Sequence, residues 1–446
     1  MKERNFAVIG HPVGHTMSPF LHARLFSLCG IRARYGSLDI PPDMLPAALG
    51  DLRKMDGFNV TIPHKQAIIP FLDGLDAKAA ACGSVNTVKR DGGRLFGFTT
   101  DGEGFRRALE AAGVSLEGNV AVLGAGGAAR ACAFEAARAR CRVTVAAREH
   151  SLPAAKALCE DLRLSVPGAE VSCCLLSSLR GPRHLLVNAT PAGMFPKTEA
   201  CPVSENAVRE SDCVFDAVYN PAETVLLHLA RSLGKKTVGG MGMLVRQAAA
   251  SEEIWLGARF PESGLSRLCA DASFEMKKKF GGIVLCGFMG SGKTTAGRLL
   301  AQKTGWTFVD LDERIERQTG RSIPEIFSER GEPGFRALER EAVRNLISRC
   351  GLVIAVGGGT FLDTRNAEDL RRNHVTVMLD ISPQAAWDRL SGNRTRPLLL
   401  GGGKEEFLRL YAERKKACRS SSDRIVDAGG TPAQTVRAVR NALSLS

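Results

Sequence analysis

At 446 residues the chain exceeds what one ordinary hydrophobic core accommodates, so two or three domains are expected. It has 44% hydrophobic and 24% charged residues and a net charge of +13 with no basic tail, which excludes a disordered chain or a concentrated nucleic-acid surface and suits small anionic ligands. Thirteen cysteines without a C-x-x-C pair read as reduced thiols of a cytoplasmic protein, and neither a membrane-length apolar run nor a signal peptide is recognised, so no membrane partner is expected.

The N-terminal stretch carries four polar motifs: Gly10-His11-Pro12 running on to His15-Thr16-Met17-Ser18-Pro19 and His22, then Asn59-Val60-Thr61-Ile62-Pro63-His64-Lys65, Gly83-Ser84-Val85-Asn86-Thr87, and Gly97-Phe98-Thr99-Thr100-Asp101-Gly102. Further on, β-branched runs such as NVAVLG, RVTVAAR, HLLVNAT, CVFDAVYN, GGIVLCGF and VTVMLDI alternate with helical stretches. This βαβ rhythm predicts an α/β fold of parallel sheets covered by helices. Asn119–Leu123 followed by Gly124-Ala125-Gly126-Gly127-Ala128-Ala129 is a strand, a glycine turn and a helix start, the dinucleotide fingerprint of a Rossmann domain. The next strand ends at Arg148, which favours binding the 2′-phosphate of NADP, while adjacent Glu149 favours NAD. Lys277–Gly282 is the expected linker region. Beyond it, Gly287-Phe288-Met289-Gly290-Ser291-Gly292-Lys293-Thr294 fits G-x-x-x-x-G-K-[ST] between a strand and a helix, a P-loop for ATP with Thr294 as a Mg²⁺ ligand.

The first part resembles the shikimate dehydrogenases to about residue 260, including Asn188-Ala189-Thr190-Pro191-Ala192-Gly193-Met194, Asp216-Ala217-Val218-Tyr219-Asn220-Pro221 and Gly240 to Gln247. The resemblance implies that Thr16, Ser18, Asn59, Thr61, Lys65, Asn86, Asp101, Tyr219 and Gln247 bind substrate. Hydride delivered to a ketone leaves an alkoxide that needs a proton; Lys65 is the candidate donor and Asp101 the group that holds its ammonium. His15, His22 and His64 read as structural hydrogen-bonding groups. Gly124, Ala125, Gly126, Gly127, Ala128, Arg148, Thr190, Ala217 and Gly240 are expected around NADP(H). Thr16 and Thr99 depart from the family's serine and asparagine.

The second part resembles the shikimate kinases, nucleoside-monophosphate-kinase-like P-loop enzymes, over its whole length. The resemblance implies that Gly290, Ser291, Gly292, Lys293, Thr294, Thr295, Arg389 and Arg396 bind ATP, with Arg396 and Lys293 meeting the transferring phosphoryl group. It makes Asp310, with Thr294, the Mg²⁺ partner, and Asp312, Arg336, Gly358 and Arg414 the substrate ligands, Asp312 also able to accept the hydroxyl proton. Cys418 stands where the family usually has tyrosine.

These expectations divide the chain into a catalytic domain (1–115), a Rossmann domain (116–240), a helical return (241–275), a linker (276–282) and a kinase domain (283–446). They imply a fusion that reduces 3-dehydroshikimate and phosphorylates the resulting shikimate, needing NADP(H), ATP and Mg²⁺ and only small-molecule partners. Two alternatives stay open: an NAD-using quinate/shikimate dehydrogenase in the first part, or a catalytically silent regulatory fusion.

Overall fold

The computed structural model describes residues 3–14, 16–390 and 403–445. The chain divides into two compact units, Met1–Ser273 and Phe274–Ser446.

The first unit holds two six-stranded sheets. One is built from β1 (Arg4–Gly10), β2 (Ala33–Asp39), β3 (Gly57–Val60), β4 (Gly74–Leu75), β5 (Thr87–Asp91) and β6 (Arg94–Phe98), in the order β2-β1-β3-β5-β6-β4. In this sheet β5 runs antiparallel to both β3 and β6. The β5–β6 pairing has a local reason: Gly92 and Gly93 both take positive φ (56° and 82°), which a two-residue hairpin loop requires and other residues resist.

The other sheet comprises β7 (Asn119–Leu123), β8 (Arg142–Ala147), β9 (Val171–Leu175), β10 (Arg183–Asn188), β11 (Ser211–Asp216) and β12 (Lys236–Gly239). It is wholly parallel, in the order β12-β11-β10-β7-β8-β9. The strand order reverses direction between β7 and β10, so a crevice opens at their carboxyl ends, where such sheets bind ligands. Its core includes Phe105, set edge-on to Phe215 at 4.8 Å, and Phe134, all essentially buried; each contributes about 1.5–3 kcal/mol by leaving water. Helices Asp101–Ala111 and Met241–Leu256 meet at Gly104, where a methyl group would fall 2.7 Å from the Met243 carbonyl oxygen.

The second unit contains β13 (Gly282–Cys286), β14 (Thr307–Asp310), β15 (Leu352–Ala355), β16 (His374–Asp380) and β17 (Arg424–Asp427), all parallel in the order β14-β15-β13-β16-β17. Along the central β13, Ile283 and Leu285 pack into one apolar cluster and Val284 and Cys286 into another, so both sheet faces are covered. The segment 276–282 is not an extended linker. Helix Glu262–Phe280 continues through it, Met276 and Phe280 are buried, and the Lys277 ammonium caps the Arg371 carbonyl.

Candidate functional site

In the first unit, the carboxyl ends of β1 and β3, the start of helix Asp101–Ala111 and helix Met241–Leu256 enclose a cavity of about 210 Å³. Its lining includes Thr16, Ser18, Asn59, Thr61, Lys65, Asn86, Asp101, Ala128, Ala217, Tyr219, Gly240 and Gln247. Residues from all four N-terminal motifs therefore converge on one hollow, together with the later matches.

At its centre Lys65 Nζ donates to Asp101 Oδ2 at 2.5 Å, and Asn86 Nδ2 donates to Asp101 Oδ1 at 2.7 Å. Asp101 sits in the first turn of its helix, where the dipole favours a carboxylate. Asn86 is oriented in turn by Thr100, whose amide donates to Asn86 Oδ1 at 2.8 Å, and it also reaches Gln247 Oε1 at 3.3 Å. Thr100 was not singled out from sequence, although it lies in the same motif as Asp101. Thr16 and Ser18 hydroxyls pair at 3.1 Å. Asn59 lines the cavity and is also tied into its frame. Its amide nitrogen is directed at Asn86 O, Thr87 Oγ1 and Ser251 Oγ, and its oxygen accepts from Tyr35 OH at 2.6 Å, so its hydrogen bonds serve the frame of the pocket.

The cavity touches the glycine turn after β7. A methyl at Gly127 would lie 3.5 Å from Lys65 Cδ, which brings the candidate proton donor to the fingerprint. Gly124 has φ 102° and faces Thr190, whose amide and hydroxyl both bond Asn188 Oδ1. Gly126 has open space where a side chain would be, at the N-terminus of helix Gly127–Arg138; that fits the close approach of a pyrophosphate. Ala125 and Ala128 flank this turn, half-buried, and Gly240 presses against the Ala217 carbonyl. Arg148 and Glu149 are exposed at the end of β8. Asp216 is buried between Thr224 Oγ1, Asn188 Nδ2 and the Val218 amide, and burial pushes its carboxyl up to about 6 despite those bonds.

His22, expected from sequence to be a structural hydrogen-bonding group, has a buried carboxyl group as its partner. His22 Nδ1 lies 2.5 Å from Glu252 Oε1, both side chains wholly buried, with the imidazole stacked on Tyr35 at 4.0 Å. Burial pushes Glu252 up from 4.5 to about 9 and His22 down from 6.5 to about 3, so both are neutral at pH 7. Glu252 binds a proton more tightly folded than unfolded, so it costs stability progressively as pH rises from 4.5 to 9. His22 does the opposite, releasing a proton on folding, so stability rises from pH 3 to 6.5. The two slopes cancel between 4.5 and 6.5, leaving a net decline from 6.5 to 9. Glu252→Gln is therefore expected to gain at least about 2 °C in Tm relative to the unsubstituted protein on going from pH 6 to pH 9. Parallel Tm–pH curves for the two proteins would contradict this.

In the second unit, the loop after β13 holds Gly287, Gly290 and Gly292 at φ 143°, 79° and 84°. Ser291 Oγ is buried there with no partner among the described residues, as a phosphate cradle requires. Lys293 Nζ donates to the Gly287 and Phe288 carbonyls at 3.0 and 3.1 Å, while Thr295 is exposed on the first turn of helix Lys293–Thr304. Thr294 Oγ1 donates to Asp310 Oδ2 at 2.7 Å, and Asp310 Oδ1 accepts the Asp312 amide, capping helix Leu311–Thr319. This hydroxyl–carboxylate pair supplies the oxygen donors that suit Mg²⁺ completed by phosphates and water. Arg389 Nη1 bonds the Gly290 carbonyl at 3.0 Å, tying helix Pro383–Leu390 to the loop. Arg396 lies outside the described residues.

The glycine triplet after β15 brings the substrate candidates together. A methyl at Gly357 would meet Asp312 Oδ1 at 2.8 Å, at Gly358 would meet Arg414 Nη1 at 3.3 Å and Met289 of the P-loop at 3.1 Å, and at Gly359 would meet Arg336 Nη2 at 2.7 Å. One turn of bare backbone thus borders a carboxylate and two guanidinium groups. Arg336 Nη1 donates to the buried Glu339 at 2.9 Å, and Glu339 is fixed by Thr360 Oγ1 at 2.7 Å. Burial opposes the Arg336 charge, but Glu339 and Glu332 outweigh it and raise its pKa. Burial and then the neighbouring Arg336 lower that of Arg414, leaving a desolvated cation that an anionic substrate would relieve.

A family model described as the shikimate dehydrogenase substrate binding domain matches residues 8–88, and one described as shikimate kinase matches residues 289–444. A shikimate dehydrogenase (NADP(+)) of Symbiobacterium thermophilum is 42% identical over 272 residues, covering 58% of this chain and 90% of that relative. Among solved structures, the Thermus thermophilus shikimate 5-dehydrogenase in complex with NADP(H) and shikimate is 37% identical, with a TM-score of 0.56, over 60% of this chain and 99% of that one. The Listeria monocytogenes shikimate 5-dehydrogenase in complex with shikimate and NAD is 29% identical, with a TM-score of 0.55, over 60% and 96% respectively.

Proposed function

Because the chain belongs to the shikimate dehydrogenase family over its first unit and carries a shikimate kinase domain in its second, we propose that one polypeptide reduces 3-dehydroshikimate with NADPH and phosphorylates the 3-hydroxyl of shikimate with Mg·ATP. The observation that carries this reading is the meeting of Lys65 with both Asp101 and the glycine turn, matched in the second unit by Asp312, Arg336 and Arg414 around one glycine triplet beside the P-loop.

In the first reaction, bound nicotinamide supplies the hydride. Lys65 gives its proton to the oxygen that becomes negative, and Asp101 holds that ammonium in place. Asn86 and Gln247 orient the ring hydroxyls, and the Thr16 and Ser18 hydroxyls meet the carboxylate. In the second reaction Mg²⁺ held by Thr294 and Asp310 supplies charge neutralisation at the phosphates. Arg336 and Arg414 hold the carboxylate, and Asp312 accepts the proton of the attacking hydroxyl. Lys293 and the P-loop amides would meet the phosphoryl oxygens.

We assign 1–115 and 241–275 to substrate and catalysis, 116–240 to the dinucleotide and 283–446 to the kinase, in a cytoplasmic enzyme with small-molecule partners. Among the described residues no helix is long and apolar enough to cross a membrane. Purified protein is expected to oxidise shikimate with NADP⁺ and to convert shikimate and Mg·ATP to a phosphate ester; absence of either activity refutes the bifunctional reading. Glu149 beside Arg148 supports a second reading, in which the first unit uses NAD on quinate as well. Rates with NAD⁺ and NADP⁺ on both acids discriminate, with NADP⁺ and shikimate expected to be preferred.

A further inference from the structure

Cys286 is the last residue of β13 and enters the P-loop; Cys418 lies on helix Gly403–Ser420, four residues beyond Arg414 and so on the same helix face. Both are buried in one cluster, Cys286 completely and Cys418 to 4% exposure. Their thiols are within hydrogen-bonding reach of each other. Ser422 clamps the pair: its hydroxyl donates to the Cys418 carbonyl at 2.7 Å and lies 3.2 Å from Cys286 Sγ.

The two sulfurs differ in character. Burial pushes Cys286 up, whereas the Cys286 thiol, the Lys293 ammonium, the Gly287 amide and Arg414 hold Cys418 down against its own burial. Among the described thiols with a shift, Cys418 alone moves in that direction; the others, such as Cys82, Cys132 and Cys213, are raised by burial. A thiol held near cationic side chains and beside a second thiol is the arrangement of a nucleophilic and a resolving cysteine.

We propose that Cys286 and Cys418 form a reversible disulfide with hydrogen peroxide as oxidant, and that this bond switches off phosphorylation while sparing hydride transfer. The Cys418 thiolate attacks one peroxide oxygen, the O–O bond breaks, and the departing hydroxide takes up a proton to become water. The Cys286 sulfur then attacks the resulting sulfenic sulfur, the S–O bond breaks, and the second water leaves with the thiol proton. Two thiols are oxidised and one peroxide is reduced. Peroxide is little larger than water, which the burial of Cys418 demands. Closing the sulfurs to about 2.05 Å draws helix Gly403–Ser420 toward the root of the P-loop. Arg414 moves with that helix, and a shift on the order of 1 Å at such a site can cost about 100-fold in rate.

The inference rests on reading the second unit as the kinase, but the bond itself is scored by mass alone, so failure of one is distinguishable from failure of the other. Full-length protein is treated with hydrogen peroxide, both activities are assayed in the same sample, and peptides are mapped without reduction. The kinase rate is expected to fall at least about tenfold, the dehydrogenase rate to hold, dithiothreitol to restore the loss, and a peptide pair joining Cys286 to Cys418 to appear lighter by two hydrogens. Cys418→Ser and Cys286→Ala should each keep kinase activity through the treatment. Absence of the joined peptides in treated protein, or variants that lose kinase activity as fast as the unsubstituted chain, overturns the proposal; should neither variant fold, the peptide map of the unsubstituted protein decides.

Discussion

Lys65→Ala is expected to slow shikimate oxidation by roughly 10²–10⁴-fold, the range for removing a positioned proton-transfer group, and to leave ATP-dependent phosphorylation by the same molecules unchanged. The loss should fall mainly on kcat, because the ammonium is needed where charge develops on the reacting oxygen. Lys65 is held by Asp101 at 2.5 Å and lies against Gly127 of the dinucleotide turn, so its removal also leaves the Asp101 carboxylate without its cation. Lys65→Arg keeps a charge beside Asp101 but delivers a proton poorly, since a guanidinium stays protonated; it should restore folding stability without restoring rate. Steady-state assays of both reactions on one preparation check this, and a folded Lys65→Ala protein that loses both activities would contradict the assignment of Lys65 to one head.

Asp312→Ala is the reciprocal case. Phosphorylation is expected to fall by roughly 10²–10⁴-fold, with shikimate oxidation untouched. Asp312 sits at the start of helix Leu311–Thr319, its amide capped by Asp310, and its side chain abuts Gly357 on the glycine triplet. Asp312→Asn separates its two roles, since the amide still bonds a hydroxyl but does not take its proton. If Asp312→Asn retains most of the rate, Asp312 orients the acceptor and the phosphoryl transfer proceeds without it as a base, which agrees with the small demand for general base help in loose phosphoryl transfer.

The parts of each site that are written as contiguous motifs were readable from the chain itself. Gly287 to Thr294 between a strand and a helix needs no partner to define it, because the glycines' backbone freedom and the helix start create the anion cradle locally. The same holds for Gly124 to Ala128. Residue-by-residue likeness to known families then supplied roles that composition and periodicity do not, such as those of Arg336 and Arg414. What escaped were partners far apart in sequence. His22 and Glu252 lie 230 positions apart, and nothing in either segment marks the other. Asn59 sits in a readable motif, but only the packed sheet shows its hydrogen bonds to Tyr35, Asn86, Thr87 and Ser251.

The sequence by itself determined two α/β units, a dinucleotide turn, a triphosphate loop and the side-chain types for one hydroxy-acid chemistry, since backbone permissiveness and hydrophobic period act over a few residues. Tertiary structure decided that β5 pairs antiparallel with the distant β3, that helix Glu262–Phe280 takes up most of the expected linker, and that Lys65 meets Asp101 while Cys286 meets Cys418. Those outcomes depend on how distant elements stack, and distance, burial and the strength of a charge come into being only when the elements pack.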